Sequence, residues 1–166
     1  MAVVTLKGNP VHTFGELPAA GSQAPDFVLV KADLSDARLA SFSGKKKILN
    51  IVPSLDTGVC AASAKRFNNE VKSLSGVVIL TISMDLPFAQ SRFCEAKGIA
   101  NVVMLSDMRK KDFGKKYGVE LTDSPLAGLF TRAVVVLDAA DTVVYTQLVP
   151  EITTEPDYAK ALAAAQ

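Results

Sequence analysis

Short apolar runs alternate with amphipathic stretches along this chain. Ile48–Val52 and Val77–Ser83 are almost unbroken aliphatic and β-branched runs, which predicts buried strands. Between them, Cys60, Ala64, Phe67, Val71 and Leu74 recur at i, i+4, i+7, i+11 and i+14. That spacing places them on one face of an amphipathic helix running to about Ser73. Val3–Leu6 and Val11–Phe14 alternate around Gly8-Asn9-Pro10 and predict a small N-terminal hairpin. Phe27–Val30 predicts a strand, with Arg38–Ala40 as a candidate partner. Asp85 and Pro87 are expected as cap and first residue of a second helix. This helix carries Ala89, Phe93 and Ala96 on one face and stops before Gly98. Val102–Leu105 predicts a short strand, and Lys111–Tyr117 a short helix ended by Gly118. Thr122–Leu129 is expected to be loop. Ala133–Leu137 and Thr142–Val149 form a hairpin across Asp138–Asp141, and a last helix is expected from Pro156. The alternation is that of an α/β fold, a mixed sheet with helices on both faces.

Length and composition narrow the picture without changing it. The 166 residues are enough for one domain, 1–166, with its own core. No repeat, linker or low-complexity tract interrupts them. A net charge of +1 calls for no nucleic acid and no anionic membrane as partner. The short basic runs Lys45–Lys47 and Arg109–Lys111 read as solvated surface. No apolar segment approaches the roughly 18 residues of a membrane span. The N-terminus lacks the basic and apolar regions of a signal peptide, so a cytoplasmic location is expected. One histidine, His12, and two distant cysteines make a poor metal set, and no metal is expected. His12 falls on the hairpin and reads as an exposed strand residue.

Cys60 is the most informative residue. It follows the turn-rich segment Pro53-Ser54-Leu55-Asp56-Thr57-Gly58-Val59 and lies in the first turn of the predicted helix. Free backbone N–H groups and the positive end of the helix dipole favour an anion there, which for cysteine is the reactive thiolate. The only other cysteine is Cys94, on the second predicted helix. In a reducing compartment, two cysteines are more often catalytic or metal-binding than a permanent staple.

Pro53, Thr57 and Cys60 match every fixed position of the Pro-x-x-x-Thr-x-x-Cys loop of peroxiredoxins. The stretches Asp56–Ser63, Pro87–Cys94, Arg132–Asp138 and Glu151–Tyr158 further resemble the bacterial thiol peroxidase branch, the atypical two-cysteine peroxiredoxins. This likeness covers nearly the whole chain. It implies a thioredoxin-like mixed sheet flanked by helices, with the N-terminal β-hairpin added. It also implies reduction of hydrogen peroxide and organic hydroperoxides. In that chemistry Cys60 attacks the peroxide and becomes a sulfenic acid. Cys94 then resolves it through an intramolecular disulfide, and thioredoxin returns both thiols. The reacting sulfur and two oxygens share negative charge in the transition state, so donors must face it. The resemblance assigns one such donor to Arg132, at the start of Ala133–Leu137. Backbone N–H groups around Gly58–Cys60 and the Thr57 hydroxyl are others. Pro53 is expected to shape the loop and shield the thiolate. A homodimer is implied. No organic cofactor is called for, and no G-x-G-x-x-G follows a strand.

Two other readings use the same residues. A thiol–disulfide oxidoreductase would exchange disulfides without peroxide, but Thr57 replaces the first cysteine of a C-x-x-C pair. A redox sensor would share the first oxidation step and stop after one turnover.

Overall fold

The computed structural model describes residues 1–166. In chain order the strands are β1 (Val3–Leu6), β2 (Asn9–His12), β3 (Leu29–Val30), β4 (Asp36–Ala37), β5 (Lys46–Ile51), β6 (Val77–Ser83), β7 (Val103–Ser106), β8 (Ala133–Leu137) and β9 (Val143–Leu148). The helices are α1 (Gly58–Glu70, continued by a 3-10 turn at Val71–Ser73), α2 (Pro87–Lys97), α3 (Phe113–Lys116) and α4 (Tyr158–Ala164). β1 and β2 form the separate hairpin. The other seven strands make one mixed sheet in the order β4-β3-β7-β6-β5-β8-β9. β5, β6 and β7 run parallel, and β8 lies antiparallel against β5.

The central strands are mostly apolar because both of their faces are covered; Lys47, Asn50, Thr81 and Ser83 are the buried polar exceptions on β5 and β6. On β8, Ala133, Val135 and Leu137 enter one core while Val134 and Val136 enter the other. Phe67 of α1, Phe93 of α2 and Tyr158 of α4 pack into the second core with Ile48 and Ile79. Phe113 and Tyr117, around α3, fill the first with Phe27 and Phe130. Phe113 stacks on Tyr117 with ring centroids 4.3 Å apart. The layered arrangement expected from the alternation is therefore present.

Four local expectations need correction. The hairpin turns at Lys7-Gly8, both at positive φ (51° and 82°), as a two-residue hairpin turn of the primed kind requires. Asn9 and Pro10 are already in β2. Pro10 is tolerated opposite Thr5 because Thr5 bonds outward: its N–H donates to Pro150 O (2.7 Å) and its carbonyl accepts from Ile152 N (2.8 Å). Arg38–Ala40 is not the partner of the first sheet strand; β4 ends at Ala37. The Arg38 and Leu39 N–H groups are taken instead by the Ser41 hydroxyl and the Asp26 carboxylate. Asp85 does not cap α2. Leu86 is the cap residue and makes no side-chain bond, whereas Pro87 is the first helical residue as expected. The last helix starts at Tyr158 rather than Pro156, with Asp157 as its cap, accepting from Lys160 N at 3.0 Å.

Two features of the first core are open to simple tests. Gly118, at φ +70°, ends α3, and a Cβ there would lie 2.2 Å from Glu16 O and 2.4 Å from Glu16 N. Gly118→Ala is therefore expected to cost more than about 1 kcal/mol, read as a lowered denaturant midpoint; an unchanged midpoint would contradict this packing. Asp107 is buried, accepts from Phe113 N at 3.1 Å through Oδ2, and has no protein partner at Oδ1. Burial first, and the Asp112 charge second, push its carboxyl up to about 6. A carboxyl raised on folding favours the native state while protonated, and that contribution is lost as pH rises toward about 6. Asp107→Asn should flatten the pH dependence of stability across that window, measured by melts at a series of pH values.

Candidate active site

β5 ends at Ile51, and the chain turns through residues 52–57 into α1. Pro53 is buried in this turn. Thr57 is the N-cap of α1: its hydroxyl oxygen accepts from Cys60 N at 3.4 Å, while its O–H donates to Ser54 O at 3.2 Å. A threonine here thus settles where the helix begins, because it satisfies a first-turn N–H that the helix cannot. The N–H groups of Gly58 and Val59 have no protein acceptor. Cys60 follows them in the first turn and is fully buried.

Arg132 arrives from the neighbouring strand, one residue before β8. It is 2% exposed, yet no carboxylate lies within ion-pair distance of it. Its Nε donates to Ile152 O at 2.8 Å and its Nη1 to Cys60 Sγ at 3.1 Å. A buried guanidinium without a carboxylate partner is costly, and the Cys60 sulfur is its one side-chain acceptor. Planarity matters too: one rigid fork addresses the backbone carbonyl and the sulfur together.

The Ile152 carbonyl is itself held in place. The adjacent Glu151 carboxylate accepts from Thr5 Oγ1 (2.6 Å), Thr153 Oγ1 (2.7 Å) and Lys7 N (2.9 Å). These donors, Thr5 foremost, hold its carboxyl well below the usual range. The hairpin and the segment after β9 are thereby fastened together beside Arg132. On the other side, Tyr158 packs edge-on against Phe67 of α1 at 5.2 Å and donates its hydroxyl to Glu155 Oε1 at 3.0 Å. Burial, and then that bond, push its phenol up to about 12.

These parts border a cavity of about 930 Å³. Pro53, Thr57, Gly58, Val59 and Arg132 line it, together with Leu6, Pro10 and Val11 of the hairpin and Leu126 and Leu129 of the loop before β8. Arg132 touches both the cavity and the sulfur. Four of the five residues expected at the site are therefore brought together: Pro53, Thr57, Cys60 and Arg132. Cys94 is not among them. It is half-buried on α2, as a free thiol, and faces a second cavity of about 460 Å³ that shares no lining residue with the first. Burial pushes its thiol pKa up. His12 ends β2 and bonds through Nδ1 to Asp123 Oδ2 at 2.6 Å, at the rim of the first cavity.

Glu151, the Ile152 carbonyl and Tyr158 had no role in the reading of the sequence. Glu151–Tyr158 stood out there only as a stretch of family likeness; a backbone acceptor leaves no signature in residue identity. No group of three or more potential metal ligands is present.

A thioredoxin-like sheet with a buried cysteine at a helix start, faced by a buried arginine, defines a thiol-based oxidoreductase. Residues 19–162 match the family model described as Redoxin, and the chain belongs to that family. It is 54% identical to the thiol peroxidase of Leptospira interrogans serogroup Icterohaemorrhagiae, over 99% of this chain and 98% of that one. A peroxiredoxin-like protein from Aquifex aeolicus superposes with a TM-score of 0.92 at 42% identity, covering 99% of this chain and 96% of its own. The thiol peroxidase from Chromobacterium violaceum gives 0.90 at 27% identity, covering 97% and 93%.

The Arg132–Cys60 contact can be probed without any substrate. Arg132→Met should slow alkylation of Cys60 by iodoacetamide at neutral pH, by on the order of tenfold for one lost charge-assisted bond. Cys94 in the same chain serves as the internal reference in peptide mass spectra. Equal slowing of both thiols, or of neither, would show that the guanidinium does not hold a thiolate.

Proposed function

We propose that the chain reduces hydroperoxides, with Cys60 as the attacking thiolate. The observation that carries this reading is Arg132: a buried cation with no carboxylate partner, 3.1 Å from Cys60 Sγ and open to the large cavity. The sulfur attacks one oxygen of the O–O bond, that bond breaks, and the distal oxygen leaves as alkoxide or hydroxide and takes up a proton. Cys60 is left as sulfenic acid. Arg132 and the N–H groups at the start of α1 face the charge spread over sulfur and both oxygens. Thr57 acts mainly as the cap that orients this turn, and Pro53 keeps bulk water from the sulfur.

Cys94 then condenses with the sulfenic acid, giving a Cys60–Cys94 disulfide and water. Cys94 supports this role as the only other thiol, and its raised pKa makes it a poor target for peroxide itself. Cys60 is fully buried at the start of α1 while Cys94 faces the smaller cavity from α2, and the bond needs Cα atoms brought within about 7 Å. Unwinding at the start of α1 and along α2 supplies that movement. A dithiol donor of the thioredoxin type restores both cysteines by exchange. The mostly apolar walls of the cavity favour alkyl and lipid hydroperoxides alongside hydrogen peroxide. A cytoplasmic homodimer fits the family likeness; no helix is long and apolar enough to cross a membrane. The absence of a C-x-x-C pair disfavours simple dithiol exchange, and catalytic turnover separates an enzyme from a one-shot sensor.

The decisive assay follows peroxide consumption with and without a thioredoxin system. Wild type should turn over many times with it and about once without it. Cys60→Ser should show no consumption, and retained turnover would remove Cys60 from the mechanism. Arg132→Lys keeps the charge but not the fork, so the peroxide step should fall on the order of 100-fold with the fold intact by circular dichroism. Cys94→Ser should form sulfenic acid once, fail to recycle and overoxidise. Oxidised wild type should carry its bridge within one chain on non-reducing peptide maps and melt no higher than the reduced form; a bridge only between chains would overturn the intramolecular route.

A further inference from the structure

Asp85 sits between the two segments that must move if Cys60 and Cys94 are to meet. Its Oδ1 accepts from Ser54 Oγ at 2.8 Å, and its Oδ2 accepts from Leu55 N at 2.8 Å and Ser83 Oγ at 2.8 Å. Ser54 and Leu55 belong to the loop that leads to Cys60. Asp85 itself stands two residues before Pro87, the first residue of the helix carrying Cys94. The Ser83 hydroxyl extends the connection: it also accepts from Asp85 N (3.2 Å) and from Nε2 of the fully buried Gln90 (3.2 Å). Gln90 lies one turn before Cys94 and lines the same cavity. One half-buried carboxylate therefore ties the Cys60 loop, the end of β6 and the start of α2 into a single polar knot.

We propose that Asp85 is a positioning residue, a latch that holds the Cys60 loop in its reduced, attack-ready form and sets how readily both cysteine segments unwind for resolution. This rests on the two-cysteine mechanism above. The carboxylate touches neither sulfur, and its effect is transmitted through Ser54 and Leu55. Its bonds exist only while the loop is seated against the end of β6, and the chain from Asp85 into α2 is held with them. They stabilise the folded arrangement and are absent from the unwound one. Weakening the latch raises the unwound fraction, so disulfide formation accelerates while the peroxide step, which needs the folded loop, slows. An uninvolved surface carboxylate would move neither step, and a general fold contact would impair both.

Two variants separate these cases. Asp85→Asn replaces one acceptor oxygen with an N–H₂ group that cannot serve the three donors. Ser54→Ala deletes one bond to Asp85, together with the longer bond that the hydroxyl accepts from Asp56 N (3.2 Å), and leaves the carboxylate's other two, which keeps the test valid if the first variant misfolds. The two steps are timed separately by rapid mixing with hydrogen peroxide, quenching, and mass spectrometry of the trapped sulfenic acid and of the disulfide. Loss of one hydrogen bond to a charged group predicts roughly tenfold faster disulfide formation from the sulfenic acid, a severalfold slower first step, and less overoxidation at high peroxide than in wild type. Asp85→Glu, which keeps the charge, should fall between Asp85→Asn and wild type. Disulfide formation that is unchanged or slower in both variants overturns the latch. Wild type that yields sulfenic acid and then disulfide preserves the mechanism even in that case; wild type that yields neither removes the mechanism and the latch with it.

Discussion

A positive charge buried beneath the end of a sheet organises this molecule. Arg132 is shut away from solvent with only a carbonyl and a sulfur as partners. A lone buried guanidinium is a liability for a fold, and its surroundings offset that cost locally. Ile152 O takes one edge of the fork, and the sulfur of Cys60 takes the other. In the proposed peroxide step the same arrangement becomes an asset, because the donor is already buried, oriented and free of any carboxylate. The contact thus links the stability of the native state to the reactivity of a single atom.

The sheet explains why these two residues meet. β5 is flanked by β6, parallel to it, and by β8, antiparallel. The end of β5 therefore lies beside the beginning of β8, with Ile51 opposite Ala133. A loop leaving β5 and a side chain preceding β8 must share that edge of the sheet. α1 then folds back over the sheet with Ala64 and Phe67 against Ile48 and Ile79, which fixes the helix start and the sulfur with it. Cys60 and Arg132 are 72 positions apart in the chain and adjacent through strand pairing alone.

The parts legible in the sequence are those with a strong local cause. Continuous apolar runs mark β5, β6 and β8 because both faces of those strands are covered. The apolar period from Cys60 onward, preceded by Thr57, marks α1 and its first turn. The misplaced elements are those where a distant group competes for a local role. Asp85 has the composition of a helix cap, but Ser54, Leu55 and Ser83 claim its oxygens. Pro10 reads as a turn residue, yet it sits in a strand because the 150–152 segment relieves Thr5 of any need for it. Arg132 was found through family likeness, not spacing; in isolation an arginine at the start of a strand is usually a surface residue. The placing of Cys94 against the smaller cavity, away from the buried Cys60, has no counterpart in residue identity at all, since it depends on how α1 and α2 are set on the sheet.

The first dozen residues have a consequence out of proportion to their size. The β1–β2 hairpin adds no strand to the main sheet, and by architecture alone it looks like an appendage. Yet its turn holds the carboxylate next to the carbonyl to which Arg132 donates, and its side chains line the large cavity. Sequence drift in such a hairpin reshapes the cavity wall, and at Thr5, Lys7 and Gly8 it also reaches the carboxylate beside the carbonyl to which Arg132 donates. The cavity wall and the donor beside the sulfur therefore depend on the same dozen residues, and the amino terminus is the end of the chain where an affinity tag or a fusion partner would disturb both.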